Sequence, residues 1–271
     1  MSKLIIITDL DGTLLDSGTY SFKEARPALQ LIRQMQIPLI FCSSKTRAEL
    51  EVYRNKLKNQ HPFISENGGG IFIPKHYFSF PIEAQNYRGY KLIALGKSYA
   101  EIRKHFILLR KTTGIKVQGF ADMGIREIAE LTNLPLKEVP YARKRDFDEP
   151  FIFRQKYDVR FLRAINETGM QWSEGRLFHI MGNHDKGKAI KILKTFYRKE
   201  YGTLQIIGIG DSLNDLSMLK IVDRAILIRR EDGKYDQRIK LPNLMKSKLA
   251  GTAGWNETVL SLIEEMLPVH T

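Results

Sequence analysis

The chain has 271 residues, with 43 Lys and Arg against 30 Asp and Glu, a formal net charge of +13. Its 43% hydrophobic and 27% charged residues are ordinary for a globular protein and too apolar for a disordered chain. Its 20 Gly and 10 Pro exclude a collagen-like chain, and its one cysteine, Cys42, excludes a disulfide framework or a cysteine-rich zinc site.

Residues 4–10 are a continuous apolar run ending in a carboxylate, which predicts a buried parallel strand. A helix is expected over 22–36, with Pro27 in its first turn, followed by an apolar strand over 37–42. A helix over 48–58 and a short strand over 63–65 come next. This alternation predicts a parallel α/β sheet. From about 83 to 182 the pattern is mixed. It predicts strands at 90–94, 151–153, 170–172 and 177–180, and helices at 98–112, 123–132 and 158–167. The α/β pattern then resumes: helix 186–201, strand 204–210, helix 213–220, strand 225–228 and a closing helix 255–267. An α+β unit, residues 83–182, is thus expected inside an α/β core made of 1–82 and 183–271.

No apolar run approaches the ~18 residues of a membrane span. Asp9 and Asp11 break the first apolar run too early for a signal peptide, so a cytoplasmic location without membrane partners is expected. The basic surplus invites a polyanion partner. Yet residues 83–182 hold 18 Lys and Arg against 12 Asp and Glu, and the remainder holds 25 against 18. That even spread reads as a solvated basic surface and speaks against specific nucleic-acid binding.

The strongest motif is Asp9-Leu10-Asp11-Gly12-Thr13, two carboxylates just past a buried strand. Ligands of open α/β sheets bind at that end. Two anions so close need a cation or donors, and a hard ion such as Mg²⁺ suits oxygen ligands. A carboxylate can attack phosphorus, and its neighbour can move the protons. A second acidic strand end, Gly210-Asp211-Ser212-Leu213-Asn214-Asp215, follows the apolar run 204–210. Ser43 ends another strand, and Lys186 opens a helix where it can neutralise developing charge.

These four segments resemble the haloacid dehalogenase-like phosphohydrolases. The resemblance implies a Rossmann-like parallel-sheet core with an inserted α+β cap. It implies Asp9 as nucleophile, Asp11 as general acid/base, and Ser43 and Lys186 as phosphate binders. It further implies Mg²⁺ held by Asp9, Asp11 and Asp211, with Asn214 and Asp215 in support. A narrower resemblance, to the mannosyl-3-phosphoglycerate phosphatase family, runs through 43–46, 66–69, 125–132, 145–151, 175–179, 185–189 and 254–257. It implies hydrolysis of 2-O-(mannosyl)-3-phosphoglycerate, a small anionic sugar phosphate. The chain departs from that family at 251–254 and at His184.

Such a substrate carries anions and hydroxyls. Lys45, Arg145 and Arg176 are candidates for the anions, Asn67, Glu149 and His179 for the sugar hydroxyls, and Ser44 and Gly68 are further substrate-binding candidates. Other readings are a phosphatase for glucosyl-3-phosphoglycerate, sucrose phosphate or trehalose phosphate, a phosphomannomutase, and a basic nucleic-acid-binding module. Oligomeric state is not legible in the sequence.

Overall fold

The computed structural model describes residues 2–266. The chain opens with β1 (Lys3–Thr8), α1 (Arg26–Gln34), β2 (Leu39–Cys42), α2 (Arg47–Leu57) and β3 (Phe63–Ser65). A tight turn leads into β4 (Gly70–Pro74), β5 (Gln85–Tyr87) and β6 (Tyr90–Ala94). A second unit then holds α3 (Tyr99–Thr113), β7 (Val117–Gly119), α4 (Ile125–Thr132), α5 (Val139–Ala142), β8 (Asp148–Phe153), α6 (Val159–Glu167), β9 (Gln171–Glu174) and β10 (Phe178–Met181). The chain returns through α7 (Lys186–Tyr201), β11 (Leu204–Gly210), α8 (Leu216–Leu219), β12 (Arg224–Arg229), β13 (Met245–Ala250) and α9 (Gly251–Met266).

The larger sheet runs β13-β12-β11-β1-β2-β3-β4-β6-β5, parallel as far as β3 and antiparallel beyond it. Both of its faces are covered, as a parallel sheet requires. In β1, Ile6 packs on the side of α1 and α9, while Ile5 and Ile7 pack on the side of α7. Successive side chains of a strand point to opposite faces, so the apolar run of β1 serves two cores. The smaller sheet, β7-β8-β10-β9, is antiparallel. Ile102 and Phe106 of α3 and Phe161 and Ile165 of α6 cover it with a third core. Ile128 of α4 and Val139 of α5 instead join the core that holds Leu50 and Tyr53 of α2, so these two helices bind the units together.

Local chemistry sets the helix ends. Thr46 and Glu49 form a capping box on α2, and Ser98 and Glu101 form one on α3. Asp185 caps α7 by accepting from Lys188 N–H.

The structure corrects several expectations. β5 and β6 pair with the larger sheet, although they lie within 83–182, because β4 offers them a free edge. The helix expected over 213–220 is a 3₁₀ turn, Leu213–Asp215, followed by the single turn α8. The closing helix starts at Gly251, and the expected last residue, Leu267, lies outside the described residues. Gly254 lets it start early, because an added Cβ would collide with the Leu249 carbonyl. Trp255 is fully buried and donates its indole N–H to Thr8 Oγ1 at 3.0 Å. β13, whose sequence Met-Lys-Ser-Lys-Leu-Ala lacks an apolar run, has no counterpart in the sequence reading. No helix among the described residues is long and apolar enough to cross a membrane.

Candidate active site

The parallel strands β1, β2 and β11 end side by side, and their next residues build the site. Asp9 follows β1, and its N–H still donates to Ile209 at 2.9 Å, so the ladder holds its backbone. Asp211 follows β11, and Asp215 lies one turn later. Asp9, Asp211 and Asp215 are all buried, each with a carboxylate oxygen within 4.8 Å of the others. Lys186, the first residue of α7, is fully buried and reaches both Asp9 Oδ1 and Asp215 Oδ1 at 2.6 Å.

Three carboxylates thus share one ammonium. Burial pushes the Asp9 carboxyl well above the ordinary carboxylate range, against the pull of Lys186, and Asp215 and Asp211 add to the rise. Burial, with Asp215, pushes Asp211 up to about 7. Burial disfavours the Lys186 ammonium, but Asp215 and Asp9 outweigh it and hold the charge. The remaining deficit of positive charge, and the all-oxygen donor set, fit a hard divalent cation. Asp215 has already committed Oδ2 to the N–H groups of Asp211 and Ser212 and Oδ1 to Lys186. Among the described residues, the Asp9 Oδ2 atom has no such partner, and the Asp211 carboxylate accepts a hydrogen bond only from Thr13 Oγ1, at 3.2 Å, with Arg230 Nε 3.7 Å from its Oδ2.

A cavity of about 410 Å³ opens over Asp9, Asp11 and Asp211, between the two units. Gly12, at φ +76°, faces Asp211, so an added Cβ would lie about 3.1 Å from its carboxylate. Asp11 lies at the wall of this cavity, and Lys45 Nζ holds its Oδ1 at 3.0 Å. Lys45 also approaches Glu49 and lies 4.6 Å over the Tyr20 ring. Ser43 is fully buried and its hydroxyl accepts from Lys45 N–H. The following residue, Ser44, forms the cavity wall.

Asn214, Asn67 and Ser173 form a hydrogen-bonded chain from the Asp211 loop to β9, at 3.2 and 3.4 Å. Gly68 sits at φ +101° against the Asp185 carbonyl, which an added Cβ would strike. It is therefore a packing position beneath Lys186 and does not line the cavity. Arg145 is buried and spent within the protein: it bonds Asp148 and donates to the Ser44 carbonyl at 2.9 Å. His179 Nδ1 meets the other Asp148 oxygen at 2.8 Å. Glu149 points into the smaller unit, where Tyr99, Arg103 and the Ala121 N–H bond it. Glu149 is fully buried near the start of β8. Arg176 lines the cavity, but its guanidinium bonds Tyr20 Oη at 2.9 Å and the carbonyls of Thr132 and Ser17.

Four residues near the site were not foreseen. Glu66, fully buried, accepts from the consecutive N–H groups of Asp146, Phe147 and Asp148 at 2.7–3.0 Å. Arg230 and Arg238 line the cavity, and the buried Asp236 bonds both of them. The run 229–238 carries no motif in the sequence reading, and its folding back over Asp211 gives it a place here.

The fold and the carboxylate cluster define a class. The chain belongs to the haloacid dehalogenase-like hydrolase family, whose model matches residues 6–118 and 144–233. The unmatched stretch between them holds α4 and α5. Within that family the chain is 45% identical over 265 residues to the glucosyl-3-phosphoglycerate/mannosyl-3-phosphoglycerate phosphatase of Methanococcoides burtonii, covering 96% of this chain and 97% of the relative. It is 38% identical over 236 residues to the mannosyl-3-phosphoglycerate phosphatase of Pyrococcus horikoshii, covering 87% and 94%. A solved Thermoplasma acidophilum protein shares the fold, with a TM-score of 0.70 and 18% identity over 97% of this chain and 99% of that one.

Proposed function

We propose that the protein is a Mg²⁺-dependent phosphomonoesterase that hydrolyses mannosyl-3-phosphoglycerate to mannosylglycerate and phosphate. The observation that carries this reading is the buried cluster of Asp9, Asp211 and Asp215 around Lys186 at the strand ends. The names of the relatives support the substrate class. Glucosyl-3-phosphoglycerate is a second candidate, because the 45%-identical relative carries both sugars in its name.

In this mechanism an Asp9 oxygen attacks phosphorus, forming an aspartyl-phosphate and breaking the bond to the glycerate oxygen. Asp11 gives that oxygen its proton, then takes one from the water that releases phosphate and restores Asp9. Lys186 holds Asp9 in place and neutralises charge beside the transferring group. Asp9 and Asp211 are the side chains that would hold Mg²⁺, with Asp215 fixing both through Lys186 and the Asp211 N–H. The bound ion would supply positive charge for the phosphate oxygens. Ser43 and Ser44 end the strand beside the phosphate position. The inserted unit within 83–182 acts as a cap, whose closure excludes water and strengthens each charge interaction inside.

Phosphate release from both sugar phosphoglycerates tests this, with and without EDTA. Turnover that EDTA silences and Mg²⁺ restores is expected. Full activity in EDTA, or no release from either compound, overturns the reading.

A further inference from the structure

The cations first expected to meet the substrate's acid groups are already engaged. Lys45 pairs with Asp11 and Glu49, Arg145 with Asp148, and Arg176 with Tyr20 and two carbonyls. Two other arginines stand over the reaction centre. Asp236 is buried, and its Oδ2 accepts from Arg230 Nη2 at 2.7 Å and Arg238 Nη2 at 2.8 Å. Its Oδ1 accepts from Arg238 Nε at 2.9 Å and Arg238 N–H at 3.1 Å. One buried carboxylate therefore sets two guanidiniums side by side and leaves the trio with a net positive charge. Arg238's hydrogen bonds hold the Asp236 carboxyl down at about 2, so it is ionised.

Both arginine side chains remain open, at 35% and 47% exposure, and both line the cavity that holds Asp9 and Asp211. Arg230 Nε lies 3.7 Å from Asp211 Oδ2, so the pair adjoins the reaction centre. A carboxylate already rests on it: Glu174, at the end of β9, accepts from Arg238 Nη1 at 2.9 Å. A planar guanidinium fork matches a carboxylate better than a lysine does.

We propose that Arg230 and Arg238, oriented by Asp236, form a subsite for a carboxylate on the non-reacting part of the substrate. Glu174 occupies part of this subsite in the closed arrangement and yields its place when the ligand enters. The subsite rests on the phosphomonoesterase reading and deepens it. It explains how a phosphate ester carrying an acid group a few bonds from phosphorus is held in one orientation, and it gives the enzyme a preference for phosphoglycerates over neutral phosphate esters.

The test is calorimetric binding to the Asp9→Asn protein with Mg²⁺, using 3-phosphoglycerate and glycerol 3-phosphate, which differ by the carboxylate. The acid should bind at least about tenfold more tightly. Arg238→Gln and Arg230→Gln should each bring the ratio of the two affinities close to one, while Arg238→Lys keeps part of it. Glu174→Gln should raise the ratio, because it removes a competing anion. Breaking a merely structural ion pair from either side would move the ratio the same way. Equal affinities in the Asp9→Asn protein, no measurable binding of either ligand, a ratio unmoved by Arg238→Gln, or a fall in both Glu174→Gln and Arg238→Gln each overturns the subsite. Turnover of the sugar phosphoglycerates is measured separately on the unsubstituted protein, so a failed substrate reading is distinguishable from a failed subsite.

Discussion

Two clusters of buried charge lie near one another and solve opposite problems. At the strand ends, Asp9 and Asp215 share Lys186 while Asp211 has only the more distant Arg230 beside it, and burial drives Asp9 and Asp211 toward the neutral form. Where the cap meets the core, Glu66 and Asp148 are equally buried but hydrogen-bonded within the protein; burial still pushes the Glu66 carboxyl well up, against the pull of Arg145, and only Asp148 is fully answered. Glu66 takes three successive backbone N–H groups, and Asp148 takes Arg145 and His179. Burial pushes the Asp148 carboxyl up, but Arg145 and His179 outweigh it and hold it below the ordinary range. A buried carboxylate short of donors is poised for a cation and for chemistry, whereas one that is fully answered fastens two units together.

The largest effect should separate the two clusters by activity. Asp9→Asn should lower turnover by about 10⁴-fold or more, the scale of losing a nucleophile. Its thermal unfolding should still be cooperative, since Lys186 keeps Asp215 as its partner and burial already disfavours the Asp9 charge. Next, Mg²⁺ should raise stability by about 2.7 kcal/mol at a hundredfold excess over its dissociation constant. Asp211→Asn should abolish that rise, and Glu66→Gln should not. Chemical denaturation with and without Mg²⁺ reads both. Glu66→Gln should itself cost about 1–3 kcal/mol, as an amide nitrogen replaces one of the two oxygens that accept from three consecutive N–H groups. A Glu66→Gln protein as stable as the parent would show that the clasp contributes nothing.

The smallest effects are in pH dependence, and their signs differ. In EDTA-treated protein, Asp211 takes up a proton on folding between its ordinary 3.8 and about 7. Its stabilisation is present below that window and is lost as pH rises through it. Asp148 is held below its ordinary value, so its contribution is present above about pH 4 and is lost as pH falls below it. Unfolding free energies of the parent, Asp211→Asn and Asp148→Asn proteins at pH 3, 5 and 8 should show these opposite slopes. Parallel curves for the two variants would erase the distinction between the clusters.

Sequence carried the buried elements well. The bounds 63–65, 90–94, 186–201 and 204–210 agree with β3, β6, α7 and β11, whose apolar runs or periodicity end sharply at charged or glycine residues. It carried the carboxylates Asp9 and Asp211 too, because each follows a strand, with Asp215 one turn after Asp211. It failed where pairing is set by distant neighbours. β5 and β13 are exposed strands whose hydrogen bonds come from β6 and β12. Glu149 and Arg145 were legible as charges, but their partners Tyr99, Arg103 and Asp148 are fixed by the cap's own packing. Arg230 and Arg238 belong to no sequence motif, and only the chain's return over Asp211 brings them to the site.

The open rim of the larger sheet has its own consequence. β13 is an outermost strand, and an unpaired strand edge is a template for another chain. Here the protein's own side chains occupy the template. Tyr235 Oη donates to the Ser247 carbonyl at 2.6 Å, Arg229 Nη1 to the Lys248 carbonyl at 3.5 Å, and Leu249 N–H donates to Glu257 at 3.3 Å. Exposed Lys246 and Lys248 add repulsion toward a like neighbour. Part of the basic surplus thus lies along the very edge where strand could add to strand, and like charges facing one another disfavour that pairing.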